Sequence, residues 1–320
     1  MYYLGIDLGG THIAAGIVND KYEIIEKGST LTLANRDPKL IVKDMANLCK
    51  SLLDAKGLTI DDIEYAGIAS PGTVNSDTGV VEYANNLPFL QFPIADLLKE
   101  YLGVKKVYIE NDANAAAKAE AVAGAAVGAK YSVMITLGTG LGGGIVLDGK
   151  VYSGFNHAGA ELGHIVIEKD GLPCTCGRNG CWETYSSATG LTKMTKKRLL
   201  EAREKGIHSL IDEMIDNDIN KVNARVAFAA MKKGDALGTQ IVEEYTDYLS
   251  LGIANIINIF QPNILSIGGG VCGEGEYLLE PLNRKVFKET YTRDNPPKTK
   301  IVIAKLGNDA GIIGAASLGK

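Results

Sequence analysis

The chain has 320 residues, a formal net charge of −5, 46% hydrophobic and 22% charged residues, the balance of an ordinary soluble globular protein. Glycine stands apart at 38 residues, while proline is scarce at 9; glycine is thus about 12% against a usual ~7%. Collagen, disordered and disulfide-scaffold classes are excluded, and the glycines must sit where a side chain would not fit.

The length predicts two domains with ample core for both. Lysine and arginine total 33 against 38 Asp+Glu, so a nucleic-acid partner is not expected. Lys193, Lys196, Lys197 and Arg198, followed by Glu201 and Glu204, read as a solvated helix face. No run approaches the ~18 apolar residues of a membrane span, and no basic leader precedes the first strand. Five cysteines are an odd number with no disulfide framework, so a reducing cytoplasm is expected.

In chain order, residues 2–8 alternate as a strand, and 13–18 and 22–27 read as strands joined through Asn19-Asp20. Asp37-Pro38 opens a helix, with Leu40, Ile41, Met45, Leu48 and Leu52 at helical spacing until Gly57. A strand at 63–69, a helix at 94–102 stopped by Gly103, a strand at 107–110 and an alanine-rich helix over 113–123 follow. At Tyr131 the opening pattern restarts. Tyr131 to Gly140 resembles Tyr2 to Thr11, and Gly-Ile-Val recurs at 16–18 and 144–146, which indicates a duplicated strand–glycine turn–strand unit. Helices are expected near 184–204, 222–233, 236–260 and 275–288. Strands at 263–267 and 300–304 and a small-residue helix at 308–318 complete an α/β pattern, with a hinge near residue 112.

Three glycine turns follow strands: Gly9-Gly10-Thr11, Gly138-Thr139-Gly140 with the glycines running to 144, and Gly268-Gly269-Gly270. Backbone amides with no side chain over them approach phosphate oxygens closely, and Thr11 and Thr139 each add a hydroxyl. Gly138, Gly140 and Gly143 also match the dinucleotide fingerprint G-x-G-x-x-G. That signature needs a helix next, whereas a hairpin pattern follows here.

Glu110-Asn111-Asp112 ends a strand and opens a helix. Asp112 is either an N-cap or a general base at a strand terminus, where open α/β sheets bind ligands. Asn111 offers a donor and an acceptor to a polyol. Asp7, before the first glycine turn, suits Mg²⁺ held through water, or else caps the turn. His164, Cys174, Cys176 and Cys181 supply one nitrogen and three sulfurs, a closed tetrahedral set of the structural Zn²⁺ type. Glu161 and Glu183 flank this knot and suit recognition of sugar hydroxyls. His157 reads as loop structure rather than as a ligand.

Together, Asp7-Leu-Gly-Gly-Thr11, Ser70-Pro-Gly72, Asn85-Asn86-Leu87, Glu110 to Asn114, Leu137 to Gly144, Ala158 to His164, Cys174 to Glu183 and Gly268 to Gly270 resemble the ROK family of sugar kinases, most of all its bacterial glucokinases. The resemblance spans nearly the whole chain. It implies an actin-like, hexokinase-like (ribonuclease H-like) duplicated two-domain α/β fold with a central ligand cleft. The small domain would hold 1–111 plus 307–320, and the large domain 112–306 with the zinc motif. It implies transfer of the ATP γ-phosphoryl group to the 6-hydroxyl of a hexose, with Asp112 as base. Gly72, Asn86, Asn111, Asp112, Glu161, His164 and Glu183 would contact the sugar. Asp7 and the turns at 9–11 and 138–140 would face the phosphates, and 268–270 the adenosine. ATP, Mg²⁺ and structural Zn²⁺ are the implied cofactors, and a homodimer or higher homo-oligomer is expected. Many family glucokinases carry a tryptophan shortly after the sugar-contacting asparagine; here Leu87, Pro88 and Phe89 follow Asn86. Glucose is the expected substrate, with N-acetylmannosamine, N-acetylglucosamine or fructose as alternatives. A sugar-sensing repressor needs a DNA-reading segment before the first strand, and Asp7 stands too early for one.

Overall fold

The computed structural model describes residues 1–293 and 295–320. Packing divides the chain into two compact units, Met1–Met134 with Gly144–Ala160 and Lys305–Lys320, and Ile135–Gly143 with Glu161–Ala304.

In the first unit, β1 (Tyr2–Leu8), β2 (His12–Asn19) and β3 (Ile24–Leu31) form an antiparallel meander. Helix α1 (Pro38–Lys56) begins where Asp37 accepts the Lys39 amide at 2.9 Å and ends at Gly57 with φ 64°. That combination of a capping carboxylate, an N-terminal proline and a left-handed C-terminal glycine bounds a helix from sequence alone. Its Ile41, Val42, Met45, Cys49, Leu52 and Leu53 are buried against the sheet. Strand β4 (Ile63–Ser70) runs parallel to β1. Short strands β5 (Thr73–Asn75), β6 (Val80–Tyr83) and β7 (Leu90–Phe92) make a separate small sheet. Helix α2 (Ile94–Leu102) leads to β8 (Val107–Asn111), which pairs parallel with β4. The main sheet therefore has the order β3-β2-β1-β4-β8.

Helix α3 (Asp112–Ala123) follows directly. Strands β9 (Tyr131–Leu137) and β10 (Leu141–Leu147) each contribute residues to both units, and β11 (Lys150–Val151) closes their meander. Helices α4 (Trp182–Ser186), α5 (Ala188–Glu204), α6 (Leu210–Met214), α7 (Val226–Lys232) and α8 (Ala236–Phe260) come next. Then come β12 (Ile264–Gly268), α9 (Glu276–Glu289), β13 (Lys300–Ile303) and α10 (Ala310–Ala316). The second large sheet has the order β11-β10-β9-β12-β13, with β12 and β13 parallel. It repeats the first sheet strand for strand. Even the burial sequence along β1 recurs along β9, so the duplication read from the two glycine hairpins extends through five strands.

The helix expected over 184–204 is two helices. Ser187 interrupts it by accepting the Gly190 amide at 3.0 Å, an N-cap that starts α5 afresh. Trp182 in α4 is fully buried and donates its indole N–H to the Tyr248 carbonyl at 3.1 Å. The sequence reading changes domain at 111/112, whereas the compact units keep α3 with the first sheet. The reason is α10, whose Gly314 has no side chain and lets the Ala115 carbonyl of α3 approach. No helix among the described residues is long and apolar enough to cross a membrane.

A methyl group at Gly67 of β4 would overlap the Ala315 carbonyl oxygen of α10, and neither backbone can yield without losing its own hydrogen bonds. Gly67→Ala is expected to destabilise the protein by at least ~3 kcal/mol, the upper end of overpacking costs, measured by urea unfolding. An effect below about 1 kcal/mol would show that α10 shifts freely on the sheet.

Candidate active site

The first unit gathers its candidate residues at the C-terminal ends of β1, β4 and β8. Asp7 is the penultimate residue of β1, and a Cβ at Gly311 of α10 would overlap its carboxylate. Burial, and then the negative charge of Asp112, push the Asp7 pKa up to about 6. Asp112 is the first residue of α3, but Asn111 caps that helix by accepting the amides of Ala113 at 2.9 Å and Asn114 at 3.3 Å. The N-cap reading of Asp112 therefore passes to its neighbour. Asp112 stays solvent-exposed with its pKa raised by lost hydration, and the Ala113 amide donating to it at 2.9 Å offsets part of the rise.

Asn111 also donates its side-chain amide to the Gly72 carbonyl at 3.1 Å, which ties the Ser70-Pro71-Gly72 turn to the head of α3. Glu110 was not among the expected site residues. It is 7% exposed and accepts the Asn111 amide at 2.8 Å and the Asn114 side chain at 3.1 Å. Burial raises its pKa. Its position one residue before the Asn-Asp pair was the only signal available.

The turn at Gly9-Gly10-Thr11 is held from both sides. The Gly9 amide donates to the His12 carbonyl at 2.9 Å, and buried Thr32 donates its hydroxyl to the Gly9 carbonyl at 2.7 Å and its amide to the Thr11 carbonyl at 2.9 Å. Nothing in the sequence marks Thr32 for this task, since a lone threonine after a strand has many uses. A Cβ on Gly10 would lie 3.3 Å from the Asn86 Cβ, so Asn86 sits on the turn with its side chain exposed. Leu87 and Phe89 are buried, and Phe89 stacks on Phe92 with ring centroids 4.7 Å apart. His157 is latched in the same unit, 3.2 Å from the Ser76 hydroxyl and 3.4 Å from the Asp77 carboxylate.

The second unit holds the other set. The Gly138 amide donates to the Gly140 carbonyl at 3.0 Å, leaving Thr139 exposed at the tip. Gly268 ends β12, Gly269 has φ 87° against the Leu137 backbone, and Gly270 begins a 3₁₀ turn that runs to Glu274. Glu161 is exposed and directly precedes the 3₁₀ turn Leu162–His164. Ala160 before it adopts φ 64°, a conformation unusual for a residue with a side chain.

The ligand atoms of His164, Cys174, Cys176 and Cys181 all lie within 4.8 Å of one another. The Cys176 and Cys181 sulfurs are 3.6 Å apart, and Cys174 Sγ is 3.7 Å from His164 Nδ1. A tetrahedron with Zn–S bonds of ~2.3 Å has S–S edges of about 3.8 Å, so these spacings suit that ion, whereas a disulfide needs ~2.05 Å. All three cysteines are free thiols. The chain turns tightly between the sulfurs: Gly177 donates its amide to the Cys174 carbonyl at 3.0 Å, and Cys174 donates to the Arg178 carbonyl at 2.8 Å. The donor set fits a closed structural zinc centre.

A duplicated ribonuclease H-like sheet, paired carboxylates at strand ends and glycine turns after β1, β9 and β12 define the class of hexokinase-like phosphotransferases and their relatives. Residues 3–320 match the ROK family, and the chain belongs to that family. It is 36% identical to the glucokinase of Thermotoga maritima, over 98% of this chain and 96% of that one. It is also 36% identical to the glucokinase of Halalkalibacterium halodurans, over 100% and 95%. The ROK glucokinase of Streptomyces griseus, solved with glucose and AMPPNP, superimposes with a TM-score of 0.81 at 32% identity, covering 99% of each chain.

The Asp7 shift has a sign that can be read in solution. Its folded pKa of about 6 lies above the ordinary aspartate value of 3.8. The native state therefore holds the extra proton, and the associated stability is complete below pH 3.8 and lost as pH rises through 6. The ligand-free protein is expected to lose of the order of 1–3 kcal/mol from this group between pH 4 and 7. Asp7→Asn should flatten that slope and be the more stable protein at pH 7, by urea unfolding at each pH. An unchanged slope would show that Asp7 is fully hydrated.

Proposed function

We propose that this protein is an ATP-dependent glucokinase that transfers the γ-phosphoryl group of ATP to the 6-hydroxyl of glucose. The observation that carries this reading is the head of α3. Asn111 does the capping by accepting both the Ala113 and Asn114 amides, while Asp112, whose carboxylate takes a bond from the Ala113 amide, remains exposed with a raised pKa. A carboxylate with a raised pKa is a better proton acceptor once ionised. Asp112 takes the proton of the 6-hydroxyl, the oxygen lone pair forms the new bond to the γ-phosphorus, and the bond to the β–γ bridging oxygen breaks to leave ADP.

Asn86, Asn111, Glu161, His164 and Glu183, with the Gly72 backbone, orient the hexose. The turns at Gly9, Gly10 and Thr11 and at Gly138, Thr139 and Gly140 cradle the phosphates through amides and hydroxyls. Gly268, Gly269 and Gly270 line the adenosine. Asp7 would hold Mg²⁺ through water, and the ion would supply neutralisation of phosphate charge. Burial, and then the like charge of Asp112, raise the Asp7 pKa, and a cation beside it would offset that cost, so the residue fits the role. His164, Cys174, Cys176 and Cys181 would hold zinc as a structural ion. A cytoplasmic homodimer or higher homo-oligomer completes the reading, and exposed Leu251 and Ile259 on α8 suit a contact between copies.

Asp112→Ala should lower kcat by about 10²–10⁴-fold while glucose affinity stays within a few-fold, measured by coupled ADP release and by equilibrium binding. Turnover within tenfold of the parent protein would remove Asp112 as the base. The same assay over glucose, mannose, fructose, N-acetylglucosamine and N-acetylmannosamine should give the highest kcat/KM for glucose. Elemental analysis of protein purified in metal-free buffer should find about one zinc per chain, and Cys181→Ser should lower both the zinc content and the thermal midpoint. A zinc-free, folded and active preparation would overturn the metal assignment.

A further inference from the structure

Glu183 does more in this fold than flank the cysteine knot. Its Oε2 accepts the Leu141 amide at 2.8 Å, at the residue where the second glycine turn becomes β10. A Cβ on Gly140 would overlap that same oxygen. Glycine at 140 therefore makes the seat that the carboxylate occupies. Its other oxygen, Oε1, lies 3.9 Å from the Cys174 sulfur. The backbone just beyond Glu183 holds the opposite end of the turn, because the Ala188 amide donates to the Gly138 carbonyl at 2.9 Å. The Glu183 carbonyl in turn accepts the Ser187 amide at 3.0 Å. Both ends of the Gly138–Gly140 turn thus rest on the segment 183–188.

We propose that Glu183 is a positioning residue for the nucleotide-facing turn, transmitting the geometry of the cysteine–histidine knot to Gly138-Thr139-Gly140 through its bond to the Leu141 amide. This rests on the reading of that turn as a phosphate cradle. A turn of three small residues has several backbone conformations of similar energy. One charge-assisted hydrogen bond at its end selects among them. The amides then meet the phosphates without an ordering cost at the moment of binding. Glu183 thereby acts on nucleotide affinity even when no sugar is present, which a residue serving only the hexose does not.

The test is equilibrium binding of adenylyl imidodiphosphate with Mg²⁺ to the full-length, zinc-loaded protein in the absence of sugar, with glucose affinity measured separately. Glu183→Ala should weaken nucleotide binding at least fivefold. Glu183→Gln, whose amide oxygen still accepts the Leu141 N–H, should bring nucleotide affinity back within twofold of the parent while glucose affinity remains reduced. Gly140→Ala should weaken nucleotide binding in the parent protein and change it less than twofold in the Glu183→Ala background, where the overlapping oxygen is gone. Unchanged nucleotide affinity in Glu183→Ala, or effects that multiply in the double variant, would overturn the proposal. If Glu183→Ala loses its zinc, Gly140→Ala decides: normal nucleotide affinity there overturns it. A parent protein that binds no nucleotide removes the kinase reading itself, whereas a parent that binds it and variants that bind it equally well remove only the role of Glu183.

Discussion

The first unit depends on backbone meeting backbone. Helix α10 lies on β1 and β4 with the Ile312 carbonyl over Gly5 and the Ala315 carbonyl over Gly67, while α3 reaches α10 over Gly314. At these glycines no side chain fits between the two backbones, while Ile312 and Ala316 of α10 pack around them against Tyr3, Val18 and Tyr65, which leaves no slack. These contacts also fix what lies at the sheet's edge. The helix that seals the sheet is the helix whose Gly311 abuts Asp7, so the candidate phosphate-end carboxylate is placed by the core itself. The alanines of α3 serve the same purpose, since Ala115 and Ala315 share a buried cluster with Ala69 of β4.

The duplicated sheets are alike in topology and different in chemistry. Asp7 of β1 and Thr136 of β9 hold corresponding half-buried positions in identical burial sequences. One copy carries a carboxylate at that place and the other a hydroxyl. The duplication therefore kept the strand pattern while the side chain at this place diverged in charge. The two turns are also supported differently. Thr32, directly after β3, pins the first, whereas Glu183 of α4, beside the cysteine knot, pins the second.

Much of this was legible in the chain. Asp37-Pro38 and Gly57 marked α1 because caps and proline act locally, and the paired glycine hairpins disclosed the duplication. The ligands of the knot were readable from cysteine and histidine spacing. What escaped the sequence was set by contacts between distant segments. Strands β5, β6 and β7 have only three or four residues each, too few for alternation to register. Ser187 broke an apparently continuous helix through one hydroxyl. Thr32 and Glu110 took up supporting positions through hydrogen bonds that no spacing rule encodes. Asn111 displaced Asp112 as the cap, although both residue types cap equally well.

The compact units are also unequal in how the chain supplies them. The second is drawn almost wholly from one continuous stretch, Glu161–Ala304, whereas the first needs Lys305–Lys320. On a ribosome building from the N-terminus, the sheet carrying Asp7 must wait, its glycine seats empty, until α10 emerges. The segment Cys174–Cys181 is thus synthesised before the helix that completes the sheet beside Asp7.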